Sequence, residues 1–217
     1  SPTARLDAEL LLAHALGIER NALLLDLTRP VPDSFWPLVE RRAAQEPVAY
    51  ITGTRGFWTL DLMVGPGALV PRVDSETLID AALRHFKGRP PATLLDLGTG
   101  PGTLLLALLD EWRDTRGLGV DRSPQALGYA VANAEACGLA DRARFVRGDW
   151  ATALTGPFDC IVTNPPYIGT GETLSHEVRG YEPASALFAG ADGLDDYRAL
   201  APELCRLLAP GGAAVVE

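Results

Sequence analysis

The segment TLLDLGTGPG, residues 93–102, decides the fold of this chain. Its first half is a short apolar run of the kind found in buried strands, and its second half places glycine at every other position. A strand that enters a glycine-rich turn before a helix is typical of α/β proteins, whose ligands bind beyond the carboxyl ends of parallel strands. We therefore predict an α/β fold with a ligand-binding loop at residues 98–102.

Helical and strand patterns alternate around this segment. Helical spacing covers residues 74–87, 103–112, 124–137 and 196–208, and strand patterns cover residues 93–97, 118–121, 144–147, 158–163 and 213–216. Strands separated by helices of this length indicate βαβ units in a mostly parallel, Rossmann-like sheet that is covered on both faces. We assign this unit to residues 74–217 and expect the last strands of the sheet to lie beyond Glu217.

The residues before this unit follow two other patterns. Leu6, Leu10 and Ala13 recur at helical spacing and stop at Gly17, and a second helix is predicted near residues 33–45. Residues 1–47 are therefore predicted to form a small helical domain. The next segment, residues 48–73, is rich in β-forming residues and glycine, which favours a β-hairpin linker between the two units.

Composition narrows the classes of function. The chain has 217 residues, 47% of them hydrophobic, and a net charge of −9, with Lys87 as its one lysine. This charge argues against direct nucleic-acid binding, which depends on lysine and arginine at phosphates. Cys137, Cys160 and Cys205 form neither a disulfide framework nor a zinc ligand set, and we expect no metal. With no apolar run long enough to span a membrane, a cytoplasmic protein is predicted.

The glycine loop is predicted to bind a nucleotide-like cofactor. Its residues are Gly98, Thr99, Gly100, Pro101 and Gly102. The third glycine comes one place too early for the dinucleotide fingerprint, which favours a cofactor without a pyrophosphate. An acidic residue that would accept from ribose hydroxyls follows the next strand as Asp121. Together these features fit S-adenosylmethionine.

Each of these features also has a plainer interpretation. The glycines would suit an ordinary strand-to-helix turn, and Asp121 would suit the cap of a helix that starts near Pro124. Trp150, at the end of the third strand, lies where it would meet the adenine ring, but a buried structural tryptophan is the alternative.

A second motif follows the strand at residues 158–163. It consists of Asn164, Pro165, Pro166 and Tyr167. If the Asn164 side-chain oxygen and the Pro165 carbonyl each accept one N–H, a planar –NH2 group is held ready to receive a methyl group, while Tyr167 stacks on it. A proline-rich loop without chemistry is the alternative. The motif by itself suits glutamine and the exocyclic amines of nucleic-acid bases equally well.

Segments outside this motif resemble one methyltransferase family. They read EPVAYITG at residues 46–53, FW at 57–58, LVPRVDSE at 69–76, YEP at 181–183, LF at 187–188 and DGL at 192–194. With the motif at Asn164, they resemble the class I methyltransferases called PrmC or HemK, which modify the glutamine side-chain amide of peptide-chain release factors. The similarity extends over essentially the whole chain.

The resemblance implies an activity, a cofactor and a set of residues. It implies transfer of a methyl group from S-adenosylmethionine to the glutamine N5 atom in the Gly-Gly-Gln loop of release factors, which the helical unit helps to dock. Cofactor contacts are implied for residues 98–102, Asp121, Trp150 and Asn164, and glutamine contacts for residues 164–167. Pro101 departs from the family pattern, in which a small polar residue is usual, and it offers no N–H for a backbone contact with the cofactor. Arg72 and Glu76 would suit either the mouth of the site or a salt bridge.

Two other functions remain open at this point. One is N6-adenine methylation of DNA, or base methylation of ribosomal RNA, which would require a basic surface. The other is a non-catalytic protein that binds S-adenosylmethionine. His14, His85 and His176 show no spacing that suggests a catalytic base.

Overall fold

The structure is a computed structural model that describes residues 3–217. The helices are α1 (Ala4–Leu16), α2 (Arg20–Leu25), α3 (Phe35–Ala43), α4 (Val48–Thr52), α5 (Glu76–His85), α6 (Thr103–Glu111), α7 (Pro124–Ala136), α8 (His176–Tyr181) and α9 (Asp195–Leu207). The strands are β1 (Thr54–Phe57), β2 (Leu60–Met63), β3 (Thr93–Leu97), β4 (Arg116–Asp121), β5 (Ala143–Arg147), β6 (Phe158–Thr163) and β7 (Leu208–Val216). Two 3-10 turns lie at Val73–Ser75 and Ala184–Ala186.

A five-stranded sheet forms the centre of the larger unit. Its strand order is β5-β4-β3-β6-β7, and every neighbouring pair is parallel. The chain moves outward from β3 through β4 to β5 and then returns to the other side of β3 as β6. The loops that follow β3 and β6 therefore leave the sheet at the point where the strand order reverses, and ligands of such sheets bind there. The predicted α/β sheet is confirmed.

Alternate residues of the central strands face opposite layers of the core. Leu94, Cys160 and Val162 pack with α5 and α6 in the larger buried cluster. Leu95 and Ile161 point the other way, into a second cluster that includes residues of α9. Since both faces are covered, these strands are almost continuously apolar, as the sequence predicted.

Most predicted elements are confirmed, and the differences have local causes. The two strand predictions at residues 93–97 and 158–163 match β3 and β6. The second helix is shorter than predicted, and β7 begins at Leu208 rather than at residue 213. Between Phe158 and Cys160 the register against β7 shifts, which lets the Pro-Gly-Gly sequence at residues 210–212 bulge within the strand.

The amino-terminal helices are joined to the larger unit by β1 and β2. These strands form the predicted antiparallel hairpin. Arg42 in α3 holds the two units together, since its guanidinium donates to Asp7 of α1 and to Glu177 of α8, each at 2.8 Å. Where the helical domain ends, at residue 47 or later, stays a prediction.

A buried amide connects the hairpin to the glycine loop. Asn133 of α7 accepts from the Met63 N–H at 2.7 Å and donates to the carbonyl oxygens of Met63 and Pro101 at 3.0 and 2.9 Å. Its side chain is fully buried. If one of these hydrogen bonds is lost, water cannot replace it unless the structure rearranges.

Replacing Asn133 with alanine is therefore expected to lower the free energy of unfolding by about 3 kcal/mol. Chemical denaturation of both proteins measures the difference. Asn21→Ala on the exposed surface of α2 is the control and should change stability by less than about 0.5 kcal/mol. Equal losses for the two variants would contradict the role assigned to Asn133.

Candidate active site

A cavity opens where the loops after β3, β4, β5 and β6 converge. Its empty volume, including the open mouth, is about 990 Å³, at the upper end of the roughly 300–1,000 Å³ found for small-molecule sites. The charged side chains of its lining are Arg72, Asp96, Asp121, Arg122, Asp149 and Asp196. Carboxylates therefore outnumber guanidinium groups, which suits a ligand that carries positive charge as well as hydroxyl groups.

The glycine loop presents its backbone to the cavity but not its N–H groups. The amides of Gly98 and Thr99 both donate to the Val120 carbonyl, and the Gly102 amide donates to Thr99. The Gly100 amide donates to Asp121. Because these donors are used within the protein, the loop is not a phosphate cradle, in agreement with the predicted absence of a pyrophosphate. The missing N–H of Pro101 fits the same pattern.

Asp121 holds the glycine loop but does not cap the helix that follows, and its predicted contact with ribose hydroxyls stays a prediction. Its Oδ2 atom accepts from the Gly100 amide and its Oδ1 atom from the Ser123 amide, both at 2.8 Å. The helix that follows is capped by Ser123 itself, whose Oγ accepts from Ala126 at 3.1 Å. Asp121 thus fixes the glycine loop, and its remaining oxygen lone pairs line the cavity where they can accept from ligand hydroxyls.

Trp150 forms one wall of the cavity and packs against the glycine loop. A Cβ atom built on Gly98 would lie 3.0 Å from the Trp150 ring, so only glycine allows this approach. The indole N–H donates to Asp196 of α9 at 3.2 Å. The ring also packs against the core cluster that contains Leu95 and Ile161, so Trp150 has a structural role, while its contact with an adenine ring stays a prediction.

Most, but not all, of the predicted site residues line this cavity. Those that do are Gly98, Thr99, Gly100, Pro101, Asp121, Trp150, Asn164 and Pro166. Gly102 instead precedes α6, where a side chain would meet Leu106 at 2.9 Å. Pro165 is buried and Tyr167 is half exposed, and neither of them lines the cavity.

The side chain of Asn164 has a defined partner. Its Nδ2 atom donates to the Ser75 hydroxyl at 2.9 Å. Ser75 lies at the start of α5, 89 residues earlier in the sequence. With the nitrogen held there, the Asn164 carbonyl oxygen is the part of the amide left to face a ligand.

Arg72 and Glu76, for which the sequence left two roles open, have clear contacts. Arg72 lines the cavity and donates to the buried carboxylate of Glu182 at 2.6 Å, while Glu182 also accepts from the Val70 amide at 3.2 Å. Glu76 accepts from the Trp58 amide at 3.0 Å. Arg72 thus lies at the site within a salt bridge, whereas Glu76 anchors the hairpin.

Sequence reasoning missed Asp96 at the end of β3. Its Oδ2 atom accepts from the Thr99 hydroxyl at 2.7 Å and from the Leu105 amide at 3.2 Å. Its Oδ1 atom is buried and has no hydrogen-bond partner among residues 3–217. Burial raises the pKa of Asp96 to about 7, an effect that the Thr99 and Leu105 hydrogen bonds oppose and the charge of Asp121 supports.

This shift predicts how stability depends on pH. Between the ordinary pKa of 3.8 and about 7, the folded protein keeps a proton on Asp96 that the unfolded chain releases. The contribution of Asp96 to stability therefore falls as the pH rises through this interval. Asp96→Asn should flatten the dependence, as measured by denaturation at several pH values, whereas the exposed control Asp149→Asn should not. An unchanged slope in Asp96→Asn would contradict the assignment.

Residues 3–217 contain neither a cluster of metal-ligating side chains nor a membrane-spanning helix. No group of three or more His, Cys, Asp or Glu side chains in this part of the chain is arranged to hold a metal ion. None of its helices has the length and apolar character needed to cross a membrane.

Comparison with known proteins places the chain in a family. Residues 1–53 match the PrmC N-terminal domain, and residues 71–179 match the methyltransferase small domain. The release factor glutamine methyltransferase of Rhodospirillum rubrum is 48% identical, with 98% of this chain and 67% of that protein aligned. The chain belongs to the release factor glutamine methyltransferase family. Proteins of the same name from Bradyrhizobium diazoefficiens and Caulobacter vibrioides are 45% and 43% identical over 75% and 76% of their lengths.

Solved structures agree on the fold of this family member. A T. thermophilus 16S rRNA N2 G1207 methyltransferase in complex with AdoMet and guanosine superimposes with a TM-score of 0.52 at 23% identity. The match covers 74% of this chain and 40% of that one. The class I methyltransferase fold that was inferred from the sequence is therefore confirmed.

Proposed function

We propose that this protein transfers a methyl group from S-adenosylmethionine to the side-chain N5 atom of the glutamine in the Gly-Gly-Gln loop of peptide-chain release factors. The observation that carries the proposal is the position of Asn164. Its amide lines the same cavity as the glycine loop and Asp121, which supports an acceptor for a planar –NH2 group next to the proposed nucleoside site. Membership of the release factor glutamine methyltransferase family indicates that this –NH2 group belongs to a glutamine side chain.

The cavity suits the cofactor. Asp121 offers lone pairs to ribose hydroxyls, and the Trp150 ring offers an apolar face for adenine. Asp96 also lines the cavity and has a buried oxygen without a hydrogen-bond partner among residues 3–217, which a bound ligand could supply. Bound S-adenosylmethionine would supply an electrophilic methyl group. The residues proposed to hold it are Gly98, Thr99, Gly100, Pro101, Gly102, Asp121, Trp150 and Asn164, with Gly102 acting through the shape of the loop.

The chain's own contribution to the reaction is orientation. An amide nitrogen is a weak nucleophile because its lone pair is delocalised into the carbonyl group. The Asn164 oxygen and the Pro165 carbonyl would each accept one of its N–H groups and so fix the direction in which the nitrogen faces. Well-oriented reactants can gain roughly 7–11 kcal/mol relative to free ones.

The acceptors also stabilise positive charge that grows on the nitrogen during transfer, an interaction stronger in the transition state than before it. Pro166 would shape the pocket. Tyr167, which is half exposed at the end of the motif, would cover the planar group once the substrate loop has entered.

The substrate loop would reach the site from the side of the amino-terminal unit. Arg42 fixes that unit to α8, which follows the Asn164 motif in sequence. We propose residues 1–47 as the substrate-docking domain, residues 48–73 as the linker and residues 74–217 as the methyltransferase domain. A release factor as substrate implies a cytoplasmic reaction, and a net charge of −9 is unsuited to direct nucleic-acid binding.

The test is a panel of substrates with a radiolabelled methyl donor. The full-length protein is incubated separately with a release factor, the same factor with its loop glutamine replaced, DNA and ribosomal RNA. We expect label on the intact release factor alone. Label on a nucleic acid, or equal label on both forms of the factor, would overturn the proposal.

A further inference from the structure

We propose that Ser75 and Glu217 form a hydrogen-bond relay that sets the polarity of the Asn164 amide, and that this relay makes the site select an –NH2 group over a carboxylate. The inference rests on the proposed function, because it assigns to Ser75 and Glu217 the positioning of the acceptor used there. Neither residue carries part of the reaction itself.

The three side chains come from three separate elements. Asn164 follows β6, Ser75 ends the 3-10 turn before α5, and Glu217 follows β7. The Ser75 hydroxyl accepts from Asn164 Nδ2 at 2.9 Å and donates to the Glu217 carboxylate. Ser75 is only 4% exposed, so water does not readily replace either partner.

The position of Glu217 is fixed on both sides. Its amide donates to the Thr163 carbonyl at 3.2 Å, which continues the pairing between β6 and β7. Its carbonyl oxygen accepts from the Tyr197 hydroxyl of α9 at 2.7 Å. The carboxylate therefore reaches Ser75 from a backbone that is held in place next to Asn164.

The hydrogen-bond donors and acceptors of this relay determine the orientation of the Asn164 amide. A carboxylate only accepts hydrogen bonds, so the single hydroxyl hydrogen of Ser75 must point to Glu217. Ser75 then offers only lone pairs to Asn164, and the Asn164 atom that faces it must be the NH2 donor. The Asn164 oxygen is consequently turned toward the cavity.

This orientation has a consequence for selectivity. An oxygen acceptor in the cavity attracts the N–H groups of a glutamine and repels the oxygens of a glutamate of the same shape. Without the relay the Asn164 amide could rotate by half a turn and present its NH2 group to the cavity. That donor would face the NH2 group of glutamine unfavourably and would instead hydrogen-bond the carboxylate of glutamate. A ligand that leaves a buried polar group without a hydrogen-bond partner binds less tightly, and this difference distinguishes glutamine from glutamate.

The test compares Ser75→Ala with Ser75→Thr in the full-length protein. We expect Ser75→Ala to lower kcat about tenfold, the effect of about one hydrogen bond, with little change in the KM for S-adenosylmethionine. We expect Ser75→Thr, which keeps the hydroxyl, to restore activity. Thr155→Ala, which removes an exposed hydroxyl outside the cavity lining and outside the proposed docking domain, is the control.

A binding measurement separates positioning from a general structural defect. The parent should bind a release factor more tightly than the same factor with glutamate in place of the loop glutamine. Ser75→Ala should reduce this ratio by about tenfold, Glu217→Gln should also reduce it, and Ser75→Thr should preserve it. Parent-like kcat and binding ratio in Ser75→Ala would overturn the relay.

Nuclear magnetic resonance tests the relay even if release factors prove not to be the substrate. In the free protein, one hydrogen of the Asn164 side-chain amide should exchange slowly with solvent, and Ser75→Ala should abolish this protection. Equal exchange in the two proteins would refute the relay. A failure of the parent to methylate the factor, with protection observed, would refute the proposed substrate alone.

Discussion

Replacing Asn164 with alanine is expected to lower kcat for release-factor methylation by roughly a hundredfold to a thousandfold, the loss seen when one preorganised polar group of an active site is removed. The Asn164 oxygen is the side-chain acceptor that faces the cavity after its nitrogen is bound by Ser75. Alanine would leave the substrate amide free to rotate. It would also leave the Ser75 hydroxyl with Glu217 as its partner, so the fold should persist.

Two measurements decide this prediction. Single-turnover methylation at saturating substrate reports the transfer step, and calorimetry reports cofactor binding. S-adenosylmethionine should still bind, with only the one contact proposed for Asn164 lost, because Asp121, Trp150 and the glycine loop are untouched. If Asn164→Ala transfers methyl groups at the parent's rate, the amide-orienting role assigned to Asn164 is wrong.

Replacing Gly193 with alanine is expected to reduce methylation by about a hundredfold through the backbone of Tyr167. A Cβ atom on Gly193 would lie 2.2 Å from the Tyr167 carbonyl oxygen and 2.9 Å from its carbon. Its φ angle of +75° also disfavours any side chain. Because Tyr167 ends the Asn164 motif, the required shift displaces the end of that motif, next to Pro166 in the cavity lining.

Gly171 provides a matched control for this substitution. It lies in the same part of the fold, and a Cβ atom there would meet no atom within 4 Å. Gly171→Ala should therefore keep activity within about twofold, whereas Gly193→Ala should lose activity and some stability. Equal activity of both variants in the methylation assay would show that Tyr167 need not be held where the structure places it.

The sequence predicts the parts of the fold that depend on short-range patterns. The strands β3 and β6 are buried on both faces, so their apolar runs have clear limits, and the glycines at residues 98–102 mark the loop that follows. The helices α2, α4 and α8 were missed. They have 6, 5 and 6 residues, too few for a periodic pattern to emerge, and tertiary contacts rather than helix propensity hold such short segments.

The site is harder to predict where it depends on contacts between distant segments. The motif at Asn164 and the acid at Asp121 are visible because the chemistry limits their residue types. Ser75 gives no such signal, since its partners lie 89 and 142 residues away. The sequence pointed to Gly193 only through the family resemblance. The structure explains why glycine is needed there, because the Tyr167 carbonyl packs against it. Asp96 was taken as a strand residue although its carboxylate lies at the cavity.

The most direct test of the central claim is mass spectrometry of a release factor after incubation with this protein and S-adenosylmethionine. The account predicts that the peptide containing the Gly-Gly-Gln loop gains the mass of one methyl group, that fragmentation places it on the glutamine side chain, and that Asn164→Ala nearly abolishes it. A methyl group on any other residue of the factor, or an unchanged loop peptide beside a methylated nucleic acid, would contradict it.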